Sequence, residues 1–349
     1  MDLASIVNQY YDSFMAKHSD TLLPGHLNAL NAIRRCRTPD SGEVFTLCNQ
    51  CGHSQWNPMS CGHRSCPKCQ NHETSRWIDR QQDKLLPAPY FMVTFTLPYA
   101  FRPLAWYHQK KIYPFLFTCA ASTLRDFALN PKNLGAKVGM SIVLHTHSRK
   151  LNYHPHVHVL IPGGGVDKHS KQWKKKNGKY LFNKKAMAKV FRARVLDELN
   201  NAGFSIPHNA SKKWVADCKY VGTGITALKY LARYLYRGVI SEKNITANQD
   251  GKITFKYIES STRKSKYRTM KGEDFLELIL QHVLPKGFRR VRDYGFLHSN
   301  ANKLLHLVQV VLRVVIDKIP QRPRPAFKCA RCKSQMVIIK FRKPVWSSG

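Results

Sequence analysis

Residues 154 to 161 read His-Pro-His-Val-His-Val-Leu-Ile. His156 and His158 bracket one valine inside a β-branched, apolar run, and residues two apart in a strand project to the same face. Two imidazoles sharing one space suit a divalent metal, because neutral histidine is a common metal ligand. The same pattern also fits two histidines on a polar sheet face.

Cysteine carries a second chemistry. Six of the ten cysteines fall into three C-x-x-C pairs, Cys48/Cys51, Cys66/Cys69 and Cys329/Cys332. Zinc knuckles require that spacing. Fourteen residues separate the first two pairs, close to the zinc-ribbon spacing, so Cys48, Cys51, Cys66 and Cys69 read as one structural tetrathiolate site. Four thiolates leave no open position for substrate. Cys61, His53 and His63 are spare ligands in the same segment, and Trp56 and Met59 are placed to cover the site. Arg64, Lys68 and Arg76 give it basic surroundings suited to DNA phosphates. The Cys329/Cys332 pair has no partner pair downstream; it either takes in a stray ligand such as Cys36 or stands without metal.

A third group lies in residues 226 to 237, TALKYLARYLYR. On a helical wheel Leu228, Leu231 and Leu235 form an apolar stripe, with Tyr230 and Tyr234 four apart at its margin. Arg233 and Arg237 flank the tyrosines, and Tyr236 points roughly opposite the leucines. Tyrosines at helical spacing serve as half-buried core residues. A tyrosine hydroxyl also attacks a DNA phosphodiester, forming phosphotyrosine and releasing a 3′-hydroxyl, if a metal or arginines neutralise the phosphate. No GxxxxGK phosphate loop occurs, and none is needed, because the covalent bond keeps the phosphodiester's energy.

Positioning these groups requires a sheet and several helices. Residues 1 to 35 read as helical, 36 to 72 as a Cys-, Gly-, Pro- and His-rich segment, and 72 to 84 as helix. Strands are expected at 90–97, 138–147, 153–161 and 214–220, with a strand hairpin over 251–270. Further helices are expected at 103–129, 184–199, 226–237, 273–284 and 299–317. The fold class is therefore α+β. Its parts are an N-terminal helical segment (1–35), a zinc-binding module (36–88), a catalytic domain (89–317) and a basic tail (318–349).

Composition narrows the partners. Fifty-seven Lys and Arg against 21 Asp and Glu give a net charge of +36, which draws polyanions, nucleic acid first. Residues 168 to 194 hold eleven basic residues and no acid, including Lys174, Lys175 and Lys176; the last 32 residues hold nine and no acid. The opening MDLASIVNQYYDSF has no basic-then-apolar signal segment, and no run approaches a membrane span. Reduced cysteines and these absences lead to an expectation of a cytoplasmic protein.

The ordered motifs resemble the HUH transposases of rolling-circle bacterial insertion sequences, the IS91 family. The resemblance runs through CNQCGH…SCGHRSCPKCQ, FTLP at 95–98, VLHTHSRKLNYHPHVHVLIPGGG at 143–165, ALKYLARYLYRGVIS at 227–241 and HVLPKGFRRVRDYGFLH at 282–298. It implies a zinc-binding N-terminal domain and an HUH-type central antiparallel sheet flanked by helices. It also implies nicking and joining of single-stranded or hairpin DNA ends through covalent 5′-phosphotyrosine, in the nucleoid of a bacterium. His156 and His158 take the metal-ligand positions and Tyr230 and Tyr234 the paired nucleophile positions. The sequence departs at Arg64-Ser65, where the family has arginine-histidine before CPKC. A third ligand for Mg²⁺ or Mn²⁺ is needed, and His145 is favoured over His147 and His154. A plasmid replication initiator or relaxase would use the same chemistry; a non-catalytic zinc-containing DNA-binding protein and a metal-free tyrosine recombinase are the other readings.

Overall fold

A computed structural model describes residues 1–167, 169–232, 239–259, 261–314 and 326–344, without the side chains of 70–74, 76, 227, 230 and 232. Two helices open the chain, α1 (Leu3–His18) and α2 (Pro24–Arg35), divided where Pro24 restarts the helix. Asp2 caps α1 by accepting from the Ser5 amide at 2.7 Å. Strands β1 (Glu43–Leu47) and β2 (Ser54–Pro58) form a hairpin, and α3 (Gln70–Gln82) follows. Then come β3 (Pro89–Thr96), α4 (Arg102–Tyr107), α5 (Gln109–Leu129), β4 (Met140–His147) and β5 (Tyr153–Pro162). The helix expected at 103–129 breaks at His108, whose φ of −123° and ψ of 38° are not helical.

The short strands β6 (Gly164–Val166) and β7 (Trp173–Lys175) pair with each other and lead to α6 (Lys184–Asn201), β8 (Ala216–Thr223) and α7 (Gly224–Ala232). A second sheet holds β9 (Ile245–Gln249), β10 (Lys252–Ile258) and β11 (Ser265–Lys271), followed by α8 (Gly272–Leu280). The last elements are β12 (Val291–Tyr294), α9 (Asn302–Val311) and β13 (Val337–Arg342).

The chain is α+β, with a central five-stranded antiparallel sheet in the order β12-β4-β5-β3-β8. Alternation divides its two faces. Phe91, Val93 and Phe95 of β3, Ile142 and Leu144 of β4, and Val157, Val159 and Ile161 of β5 enter one core with Ile112, Leu116 and Phe117 of α5 and Met187 and Phe191 of α6. Helices α5 and α6 thus cover the apolar face, and the histidines of β4 and β5 fall on the other.

Two compact units emerge. One holds residues 74–235 and 284–317, the other 1–73, 236–283 and 318–349. The N-terminal helices, the cysteine segment and the basic tail belong together because β13 pairs antiparallel with β1, and α8 packs against α1.

Candidate active site and cysteine clusters

Strand register builds the histidine site. His145 stands directly opposite His156 across the β4–β5 pair, and Val143 stands opposite His158. Directly opposed residues share a face, so His145, His156 and His158 converge. Their ring centroids lie 4.4 Å (His145–His158), 4.9 Å (His156–His158) and 5.1 Å (His145–His156) apart. One ligand nitrogen from each lies within 4.8 Å of the others.

Hydrogen bonds orient the rings. His156 Nδ1 donates to its neighbour, the His154 carbonyl, at 2.7 Å, so the lone pair of that ring sits on Nε2. His158 Nδ1 lies 2.9 Å from Thr94 Oγ1 on β3. When Nδ1 donates there, Nε2 again carries the lone pair, the arrangement in which metal-bound histidines are held. Burial keeps the rings neutral. It pushes His156 down to about 4 and His158 to about 3, and holds His145 well below the ordinary imidazole range. Three neutral imidazoles fit a divalent cation and leave coordination positions for water or substrate oxygens.

Of the other histidines weighed as ligands, His154 is engaged by the Arg102 guanidinium through Nδ1, although its parity matches. His147 stacks on His145, with ring centroids 6.1 Å apart. Thr94 and Arg102 are contributions that sequence reading missed. Thr94 lies within the strand expected at 90–97, but local pattern gives no register to say that it meets His158.

Tyr230 lies on α7, which directly follows β8 and packs against β3, β5 and β8. Leu228 and Leu231 of the apolar stripe are buried. Tyr234, Arg233 and Arg237, with Tyr236 and Leu235, lie outside the described residues. Lys174 and Lys175 end β7 and Lys176 follows it. Lys174 is ion-paired with Asp167, and that contact, with the amides of Ser170 and His169, holds the Asp167 carboxyl far below the usual carboxylate range. Lys175 is exposed.

A cavity of about 710 Å³ opens along the sheet edge, lined by Lys110, Lys286, Arg289 and Arg292 with Phe288 and Tyr294. Its floor includes β12, which pairs with β4, the strand of His145. The Leu144 amide donates to the Arg290 carbonyl at 3.0 Å, tying this basic segment to the histidine strand.

The cysteines do not assemble as the expected quartet. Cys66 and Cys69 join Cys36 and Cys61, while Cys48 and Cys51 join Cys329 and Cys332. In the first cluster the sulfurs of Cys36 and Cys61 lie 3.3 Å and 3.5 Å from that of Cys69. A tetrahedron of Zn–S bonds of about 2.3 Å has edges near 3.8 Å, so the thiols are gathered at the scale of a zinc site. Crowding splits their acidities: S–H donation from Cys61 pulls Cys36 down to about 7, and donation from Cys36 and its neighbours holds Cys69 far lower. Cys36 therefore completes the N-terminal cluster and is not a ligand of the tail pair. The reason is topological: α2 ends at Arg35, delivering Cys36 to the Cys61–Cys69 loop. Trp56 packs on Phe45 at 5.1 Å and under Arg342, not over the cluster expected for it. Lys68 is taken up by Asp2 at 3.0 Å.

Comparison with known proteins gives the family. Residues 6–97 match the family described as "Transposase zinc-binding domain", and residues 139–304 match "Putative transposase". The chain is 31% identical over 319 residues to "Putative transposase y4qJ" of Sinorhizobium fredii, covering 85% of this chain and 80% of that protein. It is 30% identical over 286 residues to the "Transposase for insertion sequence element IS801" of Pseudomonas savastanoi pv. phaseolicola, covering 75% and 68%. The chain belongs to the IS91 family of transposases. The zinc-binding match takes in Cys36, Cys61, Cys66 and Cys69 and stops short of the tail. The second match takes in the three histidines and Tyr230. As an IS91-family transposase, the chain is a DNA-processing enzyme. Among the described residues, no helix is long and apolar enough to cross a membrane.

Proposed function

We propose that this IS91-family transposase nicks and rejoins single-stranded DNA at insertion-sequence ends through a covalent 5′-phosphotyrosine. The observation that carries the reading is the convergence of His145, His156 and His158 on one sheet face, with the tyrosine-bearing α7 packed against β5, the strand of His156 and His158, and against β3 and β8. His145, His156 and His158 would hold a Mg²⁺ or Mn²⁺, and the ion would supply Lewis-acid polarisation of the scissile phosphate. Tyr230 or Tyr234 attacks phosphorus through its hydroxyl oxygen. The bond to the 3′-oxygen breaks; the phenolic proton goes to solvent, and the departing 3′-oxygen takes one from solvent and leaves as a 3′-hydroxyl. The second tyrosine serves the later transfer, in which a 3′-hydroxyl attacks the phosphotyrosine and restores a phosphodiester. Arg233 and Arg237 neutralise the crowded phosphate. Lys174, Lys175, Lys176 and the Lys110–Arg292 groove bind backbone phosphates. Zn²⁺ in the Cys36–Cys61–Cys66–Cys69 cluster holds the N-terminal module structurally.

Labelled single-stranded DNA from an element end, incubated with the protein and Mn²⁺, is expected to give a protein–DNA adduct that survives denaturant. Omitting Mn²⁺ and Mg²⁺ abolishes it, as does His156→Ala/His158→Ala, which leaves DNA binding in place. DNA binding without an adduct under any divalent cation would replace this reading with a zinc-containing binding protein. An adduct indifferent to the histidine pair would point to a metal-free recombinase.

A further inference from the structure

The tail pair, Cys329 and Cys332, lies outside the matched zinc-binding domain, yet it is built like the pair at Cys48 and Cys51. In the hairpin, the Cys48 amide donates to the His53 carbonyl at 2.8 Å and the Gly52 amide to the Cys48 carbonyl at 2.9 Å. In the tail, the Cys329 amide donates to the Ser334 carbonyl at 2.8 Å and the Lys333 amide to the Cys329 carbonyl at 3.0 Å. The offsets are identical. The residue after each second cysteine is left-handed, Gly52 with φ 69° and Lys333 with φ 62°. A lysine adopts that conformation at a cost, so its presence in the tail reflects a demand of the turn.

These two knuckles face each other. The sulfurs of Cys48 and Cys332 are 3.4 Å apart and those of Cys51 and Cys329 3.5 Å. All four thiols fall within 4.8 Å of one another. Around them the tail is fitted to the hairpin. Strand β13 pairs with β1, giving a three-stranded sheet in the order β13-β1-β2. Ser334 Oγ donates to Gln50 Oε1 at 2.9 Å, knuckle to knuckle, and Arg342 ion-pairs with Glu43 at 2.8 Å. Cys48, Cys329 and Met336 are buried together with Phe327 packed on them.

We infer that Cys48, Cys51, Cys329 and Cys332 form a second Zn²⁺ site, a zinc ribbon split between the two ends of the chain. Zn²⁺ displaces the thiol protons to solvent and takes four thiolates, with no position left open, so its role is structural. The ribbon closes everything from residue 48 to residue 332 into one loop and makes the basic tail a fixed part of the N-terminal unit. The inference goes beyond the transposase reading and does not depend on it.

Cobalt(II) titration of the full-length, metal-stripped protein under reducing conditions tests it, because the sulfur-to-cobalt charge-transfer band counts thiolate-bound ions only. The expected end point is two ions per chain. Cys329→Ser/Cys332→Ser and Cys48→Ser/Cys51→Ser each lower it to one, and combining all four substitutions causes no further loss. An end point of one ion in the unaltered chain overturns the inference without any variant having to fold. So does an end point of two in the tail variant, or a mass showing Cys48–Cys332 and Cys51–Cys329 disulfides in freshly purified protein.

Discussion

The ligand nitrogen of each histidine is chosen by what its other nitrogen touches. Thr94 Oγ1, 2.9 Å from His158 Nδ1, is the clearest case. Thr94→Val keeps the shape and removes the partner, and it is expected to weaken Mn²⁺ binding by about tenfold or more without unfolding the chain. Isothermal titration against the His158→Ala variant, which should not bind at all, measures this. Burial adds a pH signature. Because His156 protonates only near 4 and His158 near 3, protons do not compete with Mn²⁺ down to about pH 5. Affinity measured from pH 7.5 to 5 is expected to stay level, whereas histidines titrating near 6.5 would lose up to tenfold per ligand per unit below that pH. The same shift sets the sign for stability. The unfolded chain binds these protons first, so stability without cation is full above about 6.5 and falls as pH drops toward the folded values. The His156/His158 pair was legible because period-two alternation is a local property. The roles of Thr94 and Arg102 were not, since they depend on strand register and on a helix, α4, whose first residue lies 52 residues before His154.

Elements succeed or fail as carriers of these side chains. Strand β4 brings His145 opposite His156 only if its other neighbour, β12, seats correctly. Gly295, immediately after β12, has φ of +62°, and an added Cβ would stand 1.9 Å from the Val138 carbonyl oxygen. Gly295→Ala is expected to cost about 2 kcal/mol or more, on the scale of left-handed strain with a backbone clash added. A fall in thermal midpoint, together with weakened Mn²⁺ binding, would tie β12 to the site; an unchanged midpoint would sever that link. Four of the five strands of the central sheet were readable from β-branched runs, β12 being the exception, and α5 and α6 from their apolar spacing. Strand β13 was not. VIIKFR is strand-like, but its partner β1 lies at the other end of the chain, and no local pattern announces such a pairing. The same distance hid the partner of Cys329 and Cys332 and led to the mixed quartet. Spacing along the chain names the knuckles without saying which two share a metal.

Across the whole molecule, the net charge of +36 is the property most directly read from sequence and the least specific. It predicts that DNA affinity falls steeply with salt whatever the base sequence. The exposed Lys175 is the test position: Lys175→Gln is expected to reduce the slope of log affinity against log salt by about 0.7 on single strands if it contacts a phosphate. An unchanged slope would remove that lysine from the DNA path. What composition could not foresee is that the units are discontinuous, one of them gathering residues 1–73, 236–283 and 318–349. Compositional boundaries follow the chain, while burial and cysteine clustering do not.

The catalytic proposal for this transposase turns on Tyr230 or Tyr234 becoming bonded to DNA. The decisive measurement is mass-spectrometric mapping of the protein–DNA adduct after nuclease and protease digestion. A nucleotide phosphate on Tyr230 or Tyr234, lost in Tyr230→Phe/Tyr234→Phe, is the expected result. A nucleotide on Tyr236 or any other residue, or an adduct that survives the double substitution, would contradict it.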